Sequence, residues 1–232
     1  LQPHWILLDY FQMTTKPITP MIKQYLQIKS QYPDAILFFR MGDFYEMFFE
    51  DARVGSRELD IALTSRDKGQ KDSVPLCGVP HFAAETYISK LLQKGYKVAL
   101  CDQVEDPRLA KGIVKREVIR VFTPGLVTDA IQLGTGENNY LMGFCAEGEV
   151  FGLAFLDIST GELKACQISG FEPFLSEALR NEPKEILSLK IFQEHACFEA
   201  FKGNFGNGLI TFLDEQKLEG VLSFNEVERN AL

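Results

Sequence analysis

Apolar and polar positions follow two alternating patterns through the first half of the chain. The continuous apolar run AILFFRMG (residues 35–42) predicts a buried strand, and the periodic stretch FAAETYISKLLQKGY (residues 82–96) predicts an amphipathic helix. Thr19 followed by Pro20 is a cap and a first-turn proline, so a helix is expected to begin there and to end before Pro33.

The segments around these two continue the alternation. The stretch YEMFFEDARVGSREL predicts a helix over residues 45–59. Shorter apolar segments predict strands at residues 61–66, 74–80, 97–104 and 114–125. Because helices and strands alternate, the first half is predicted to be an α/β domain with a mixed β-sheet flanked by helices.

The segment TPGLVTDAIQLGTGENN (residues 123–139) is rich in turn residues and has no clear period, which favours a linker. After it, three short strands joined by tight turns predict a β-meander over residues 140–168. A helix at residues 172–181, a strand at 185–189 and a helix at 190–201 follow. The second half is therefore also predicted to be α/β.

These patterns divide the chain into two domains. We assign residues 13–128 to the first domain and residues 129–232 to the second. The ending SFNEVERNAL has no stop signal, so we expect the chain to end inside or just after the second domain. Residues 1–12 precede Met13 and do not have the pattern of a signal peptide, and they are expected to be a non-native or disordered leader.

Charge separates the two halves. The whole chain has a net charge of −8, but residues 13–130 carry 17 Lys and Arg against 15 Asp and Glu. Residues 131–232 carry 7 against 16, so the acidic excess lies in the second half. Any contact with a polyanion is therefore expected in the first half.

Cysteine and histidine usage excludes several classes of protein. The five cysteines form no C-x-x-C pair and are odd in number, which argues against a zinc site or a disulfide framework and favours a reducing compartment. The three histidines are too scattered to predict a metal cluster. No apolar run approaches the roughly 18 residues of a membrane span, so we expect no membrane partner. The reducing compartment indicated by the cysteines is consistent with the cytoplasmic location that we expect.

The stretch RMGDFYEMFFED (residues 40–51) has two interpretations. Asp43 and Glu46 have the spacing of a capping box, in which Asp43 caps a helix. If the chain is instead extended there, Phe44 and Glu46 project together while Tyr45 turns inward. A flat apolar ring beside a carboxylate is suited to stacking on a base and binding its edge. The stretch alone does not choose between these interpretations.

Basic residues suggest two further surfaces. Arg66 and Lys68 lie in a polar loop after a predicted strand, where they are either solvated or in contact with phosphates. The densest basic run is a DNA surface, a sheet edge or a domain contact, and strand alternation would divide it between two faces. Its members are Arg108, Lys111, Lys115, Arg116 and Arg120.

Five runs in fixed order resemble the N-terminal domain of the MutS family of DNA mismatch-repair proteins. They are TPMIKQYLQIK, RMGDFYEMF, LDIALTSR, CGVPHFAAETYISKLLQKGYKVALCDQVEDP and KGIVKREVIRVFTPG, within residues 18–130. LDISTGEL (residues 156–163) resembles the family's second domain, an RNase H-like connector. One departure follows GVP, where the family usually has an aromatic residue and then His; here His81 precedes Phe82, and we assign neither a role.

The resemblance implies a function in DNA mismatch recognition. Phe44 would be the wedge that stacks at a mispaired base, and Glu46 would contact that base. Arg66 and Lys68 are candidates for contact with the DNA backbone because of their position in a polar loop, and not because of the resemblance. The partners implied are double-stranded DNA with mismatches or small loops, a second copy or subunit in a dimeric parent protein, and a downstream repair protein bound by the connector. No cofactor is expected in this chain, because the P-loop motif is absent from it and ATP and magnesium belong to the parent's ATPase.

Two alternative functions have other sequence requirements. A protein-interaction module would use the acidic second half as its working surface. A metal-dependent RNase H-like nuclease would need a carboxylate cluster, and Asp157 and Glu162 are the candidates. Gly161 and Glu162 form an ordinary hairpin tip without further acids at ligand spacing, so the sequence predicts a non-enzymatic domain.

Overall fold

The computed structural model describes residues 19–65, 73–105, 112–126, 138–205 and 209–214. These residues divide into two compact units, with the division between Thr123 and Pro124. The predicted leader and the predicted domain boundary at residue 128 lie outside the described residues. Across the described part of the chain, none of the helices has the length and apolar character needed to span a membrane.

The first unit is built on a six-stranded sheet with the strand order β3-β4-β2-β1-β5-β6. The strands are β1 (Ala35–Met41), β2 (Phe44–Phe48), β3 (Thr64–Ser65), β4 (Pro75–Pro80), β5 (Lys97–Gln103) and β6 (Arg116–Phe122). β1 and β5 are parallel, and the other neighbouring pairs are antiparallel. The mixed sheet predicted from the sequence is confirmed.

Helices cover both faces of this sheet. They are α1 (Pro20–Lys29), α2 (Phe49–Leu59) and α3 (Ala84–Gln93). α1 begins as predicted, because Thr19 Oγ1 accepts a hydrogen bond from the Ile22 amide at 3.4 Å and Pro20 occupies the first turn. Its buried side chains form one core with alternate residues of β1, such as Leu37 and Phe39. α2 packs on the opposite face, where Gly55 lies against Met47 and Cys77.

The structure corrects one prediction next to the hairpin. The helix predicted at residues 45–59 begins only at Phe49, and the residues before it form β2. β2 pairs with β1 on one side and β4 on the other, and this pairing buries Tyr45 and Met47. Both ladders and the burial outweigh local helix propensity. The capping-box interpretation is therefore wrong, because Asp43 lies in a hairpin loop.

The second unit contains a five-stranded sheet with the order β11-β10-β7-β8-β9. Its elements are β7 (Tyr140–Glu147), β8 (Val150–Asp157), β9 (Glu162–Ser169), α4 (Phe171–Arg180), β10 (Glu185–Leu189), α5 (Phe198–Asn204) and β11 (Ile210–Leu213). The predicted β-meander β7-β8-β9 is confirmed, while β10 runs parallel to both β7 and β11. This sheet is also mixed, and α4 and α5 pack against its aromatic core.

A second correction concerns the helix predicted at residues 190–201. A 3₁₀ helix covers Lys190–Glu194, His195 is extended, and α5 begins at Phe198. The break has a packing cause. Phe192 is buried in the core, and the His195 Nε2 atom lies 2.8 Å from the Gly148 carbonyl oxygen in the β7–β8 turn. The short strand β11 was not predicted.

Candidate nucleic-acid interface

A two-residue loop places Phe44 at the start of β2. Met41 and Phe44 are cross-strand partners, so only Gly42 and Asp43 form the hairpin loop. Gly42 has φ of 57°, and type II′ hairpins place glycine with positive φ at this first loop position. The Asp43 carbonyl oxygen accepts a hydrogen bond from the His81 amide at 2.9 Å, which ties the loop to the residue after β4.

Strand alternation sets the direction of the side chains in β2. Phe44 is 47% exposed, Tyr45 is only 5% exposed, and Glu46 is half-buried. Phe44 and Glu46 therefore lie on the same face of the strand, while Tyr45 turns to the other. This is the geometry of the extended interpretation, with an accessible aromatic ring next to a carboxylate.

Tyr45 anchors the hairpin from its buried face. Its hydroxyl donates a hydrogen bond to Asp102 Oδ2 at 2.8 Å, and the Arg40 guanidinium lies 5.4 Å from the ring centroid. Burial, together with the hydrogen bond to Asp102, raises the pKa of Tyr45 to about 12. Because its neighbour is fixed in this way, Phe44 is held in place by a packed strand.

Arg116 of β6 lies on the same face of the sheet as Glu46, although it is only 9% exposed. Its guanidinium is 4.9 Å from the centroid of the Phe39 ring, and Phe39 is the cross-strand partner of Glu46. Sequence reasoning placed Arg116 in a basic run and missed this position. The signal was its spacing of two from Val118, which packs against the core.

Three hydrogen bonds fix the Arg116 side chain, and burial changes its pKa. Its Nε donates to the Arg40 carbonyl oxygen at 2.6 Å, and its Nη1 donates to Gln24 Oε1 at 3.1 Å and the Val114 carbonyl oxygen at 2.9 Å. Burial lowers the pKa of Arg116. The negative charges of Asp102 and Glu46 oppose this shift, as does Cys101 when its thiol is ionised.

The remaining basic candidates do not form one described surface. Arg66, Lys68, Arg108 and Lys111 lie outside the described residues. Of the described members, exposed Lys115 pairs with Glu117 at 2.6 Å, and the Arg120 guanidinium lies 4.4 Å from the Phe122 ring centroid. β6 is an edge strand, and a bulge opposite Leu100 and Cys101 puts Arg116 and Arg120 on opposite faces. The sheet-edge alternative therefore describes this part of the run.

Phe82 is a further aromatic residue beside the hairpin. It is 82% exposed and follows His81, whose Nδ1 atom lies 3.1 Å from the Asp43 carbonyl oxygen. The sequence signal was its departure from the family pattern after GVP. Its exposure makes it a matched comparison for Phe44.

The two candidate metal ligands of the second unit, Asp157 and Glu162, accept hydrogen bonds from other groups of the protein. Asp157 is fully buried and accepts from the amides of Asn139 and Ser159 and from the Ser159 hydroxyl. Burial acts to raise the pKa of Asp157, but these hydrogen bonds outweigh it and the pKa is lowered. Glu162 accepts from the Tyr140 hydroxyl at 2.6 Å. The described residues contain no group of three or more side chains arranged to hold a metal ion.

Comparison with known proteins places both units in one family. The family model for MutS domain I matches residues 19–130, and that for MutS domain II matches residues 139–217. The DNA mismatch repair protein MutS of Desulforamulus reducens is 53% identical over 77% of this chain and 21% of its own length. The MutS protein of Syntrophobacter fumaroxidans is 52% identical over 88% of this chain and 23% of its own length. The MutS protein of Ruminiclostridium cellulolyticum is 55% identical over 84% of this chain and 23% of its own length.

The chain thus spans less than a quarter of the length of the relatives that it matches. The two family models together match well over half of its residues, in the order domain I and then domain II. The chain belongs to the MutS family.

Proposed function

We propose that this chain is the mismatch-reading part of a longer DNA mismatch-repair protein. The observation that carries the proposal is the half-exposed Phe44 ring on an anchored hairpin, with Glu46 on the same strand face. The names of its relatives, each a DNA mismatch repair protein, support the same process.

The proposed mechanism depends on the mechanical weakness of a mispaired step. Such a step stacks less well and deforms more easily than a paired one. Phe44 enters the step as an apolar wedge, as aromatic side chains do from the minor groove, and stacking on a base contributes about 1–3 kcal/mol. The hydrogen bond that anchors Tyr45 reduces the entropy lost when DNA binds, because the strand that carries the wedge is already fixed.

Glu46 supplies selectivity in this mechanism. Its carboxylate is repelled by the phosphates of any duplex, which penalises binding to paired DNA. At a mispaired step the base edge offers a hydrogen bond that offsets the repulsion. Arg66 and Lys68 are proposed to contact backbone phosphates, which position the protein without reading sequence.

The longer protein supplies the other proposed functions. We assign ATP and magnesium binding, and ATP hydrolysis, to its parts outside this chain, and we propose that it is a cytoplasmic dimer. A downstream repair protein is proposed to bind the connector, residues 129–232. This chain would then contribute recognition, and it would have no catalytic role.

The test is base unstacking at the mispair in the full-length protein. A duplex carries the fluorescent base 2-aminopurine next to a mismatch, and its emission rises when a wedge unstacks it. The wild-type protein should raise the emission, Phe44→Ala should not, and Phe82→Ala should behave as wild type. An equal rise with Phe44→Ala would refute the wedge. A protein that only mediates protein contacts would leave the emission of each duplex, matched or mismatched, at its value without protein.

A further inference from the structure

Arg116 is a charged side chain in a place where charge is expensive. It is 9% exposed, and a buried charge is unfavourable unless hydrogen bonds and an opposite charge compensate it. Its three hydrogen-bond acceptors are the carbonyl oxygens of Arg40 and Val114 and the side-chain oxygen of Gln24. All three are neutral groups, so they satisfy its donors without neutralising its charge.

The position of the guanidinium identifies the acid that faces it. Arg116 starts from the edge strand β6 and reaches across β5 to the carbonyl oxygen of Arg40 on β1. Its guanidinium lies over Phe39, and the partner of Phe39 on β2 is Glu46. Asp102 also acts on the charge of Arg116, but it alternates to the other face of β5, where it accepts from the Tyr45 hydroxyl. Glu46 is therefore the acid of β2 that shares the face of Arg116.

We propose that Arg116 is a positioning residue for Glu46, a buried cation that holds the carboxylate in place beside Phe44. This inference rests on the proposed function of Phe44 and Glu46. This role explains why an arginine on β6, three strands away from β2, is fixed by three hydrogen bonds on the sheet face that carries Phe44 and Glu46. The same cation offsets part of the repulsion between Glu46 and phosphates, which otherwise would turn the carboxylate away from the DNA.

A double-mutant cycle separates this role from a structural one. The full-length protein is prepared as wild type, Glu46→Gln, Arg116→Met and the double variant. Affinities for mismatched and matched duplex give a discrimination ratio for each, and thermal unfolding gives stability. Arg120→Met is the matched control, because Arg120 lies on the same strand with its side chain on the opposite face.

The proposal predicts non-additive ratios. Arg116→Met should lower the ratio by about threefold or more, within the range of coupling between residues in contact, and should lower it no further when Glu46 is already Gln. Arg120→Met should leave the ratio unchanged. If Arg116→Met lowers stability and lowers both affinities equally, or if its effect on the ratio adds to that of Glu46→Gln, the inference is wrong.

Two further outcomes have defined meanings. If Arg116→Met does not fold, Arg116→Gln takes its place in the cycle, since it removes the charge but keeps an amide group that donates hydrogen bonds. It should lower the ratio in the Glu46 protein and not in the Glu46→Gln protein, and equal effects in both would overturn the inference. If the wild-type protein shows no mismatch preference, the proposed function itself fails.

Discussion

Replacing Asp51 with alanine should destabilise the first unit strongly, because this carboxylate joins three elements. It accepts hydrogen bonds from Lys29 Nζ and the Tyr25 hydroxyl, both at 2.9 Å, and from the Leu37 amide at 3.0 Å. Lys29 and Asp51 are both buried. Asp51 therefore connects α1 and α2 to the strand β1, which pairs with the strand that carries Phe44.

The magnitude follows from what the substitution leaves behind. Asp51→Ala leaves Lys29 as a buried cation whose remaining hydrogen bond is to the Ala35 carbonyl oxygen at 2.6 Å. Breaking a buried ion pair in this way costs about 3–5 kcal/mol. In the double variant Lys29→Met/Asp51→Leu no charge is stranded, but the Leu37 amide still loses its acceptor. That loss costs about 1–3 kcal/mol, so the double variant should be more stable than Asp51→Ala.

Urea unfolding of the chain, followed by the signal of the first unit, measures these differences. Glu50→Ala is the control, because Glu50 and Arg53 form an exposed pair at 3.3 Å whose loss should change stability by about 0.5 kcal/mol at most. A cost below about 1 kcal/mol for Asp51→Ala would contradict the reasoning. So would a double variant that is no more stable than the single one.

Three other predictions concern the chain as a whole. Limited proteolysis should cut within or near residues 123–139 and leave two resistant pieces, since this segment is turn-rich and the division into units lies at Thr123 and Pro124; cleavage spread along the whole chain would contradict two domains. The chain alone should bind duplex DNA weakly, with affinity that falls as salt rises, and nanomolar binding at physiological salt would disprove this. Burial raises the pKa of the Cys77 and Cys101 thiols from 9.0 to about 12 and contributes to the similar rise for Tyr45 from 10.0. Below their ordinary pKa values these three groups are neutral in both states, and their contribution to stability is complete. As pH rises towards about 12 they ionise first in the unfolded chain, so the folded protein loses stability. Urea midpoints should therefore fall over this window, and Tyr45→Phe should reduce the fall.

Local signals predicted the elements that local interactions stabilise. The cap and proline at Thr19 and Pro20 predicted the start of α1, and the apolar run at residues 35–42 predicted β1. The β-meander also followed from the sequence, because its turns join strands that are neighbours in the chain. In each case the residues that fix the element lie within the segment or next to it.

Elements that depend on distant partners were not predicted. Tyr45 pairs with Val79 and bonds to Asp102, and these contacts make an extended strand where the local sequence favours a helix. Arg116 is buried because Gln24 and Arg40 meet it, and neither is near it in the chain. Strand β11 depends on a parallel ladder with β10, which its own four residues do not reveal.

The candidate site likewise combines features that local sequence predicts with features that depend on distant partners. The pairing of Phe44 with Glu46 could be stated from their spacing of two, but only for an extended chain. The choice between strand and helix required β4, which lies about thirty residues further along the chain. The resemblance to a family gave these two residues a role, while the buried Arg116 beside them became visible only in the fold.

The central claim is that Phe44 and Glu46 read a mispaired base, and a pair of binding titrations tests it most directly. Phe44→Ala and Glu46→Ala are introduced into the full-length protein, and each is titrated with mismatched and with matched duplex, with melting temperatures as the stability control. Phe44→Ala should lower mismatch affinity by about tenfold or more, because stacking of about 1–3 kcal/mol is lost. Glu46→Ala should leave matched-duplex binding unchanged or stronger, because a repelled charge is removed, while the preference for the mismatch shrinks. If both variants bind the two duplexes in the wild-type ratio, these residues do not read the mispair.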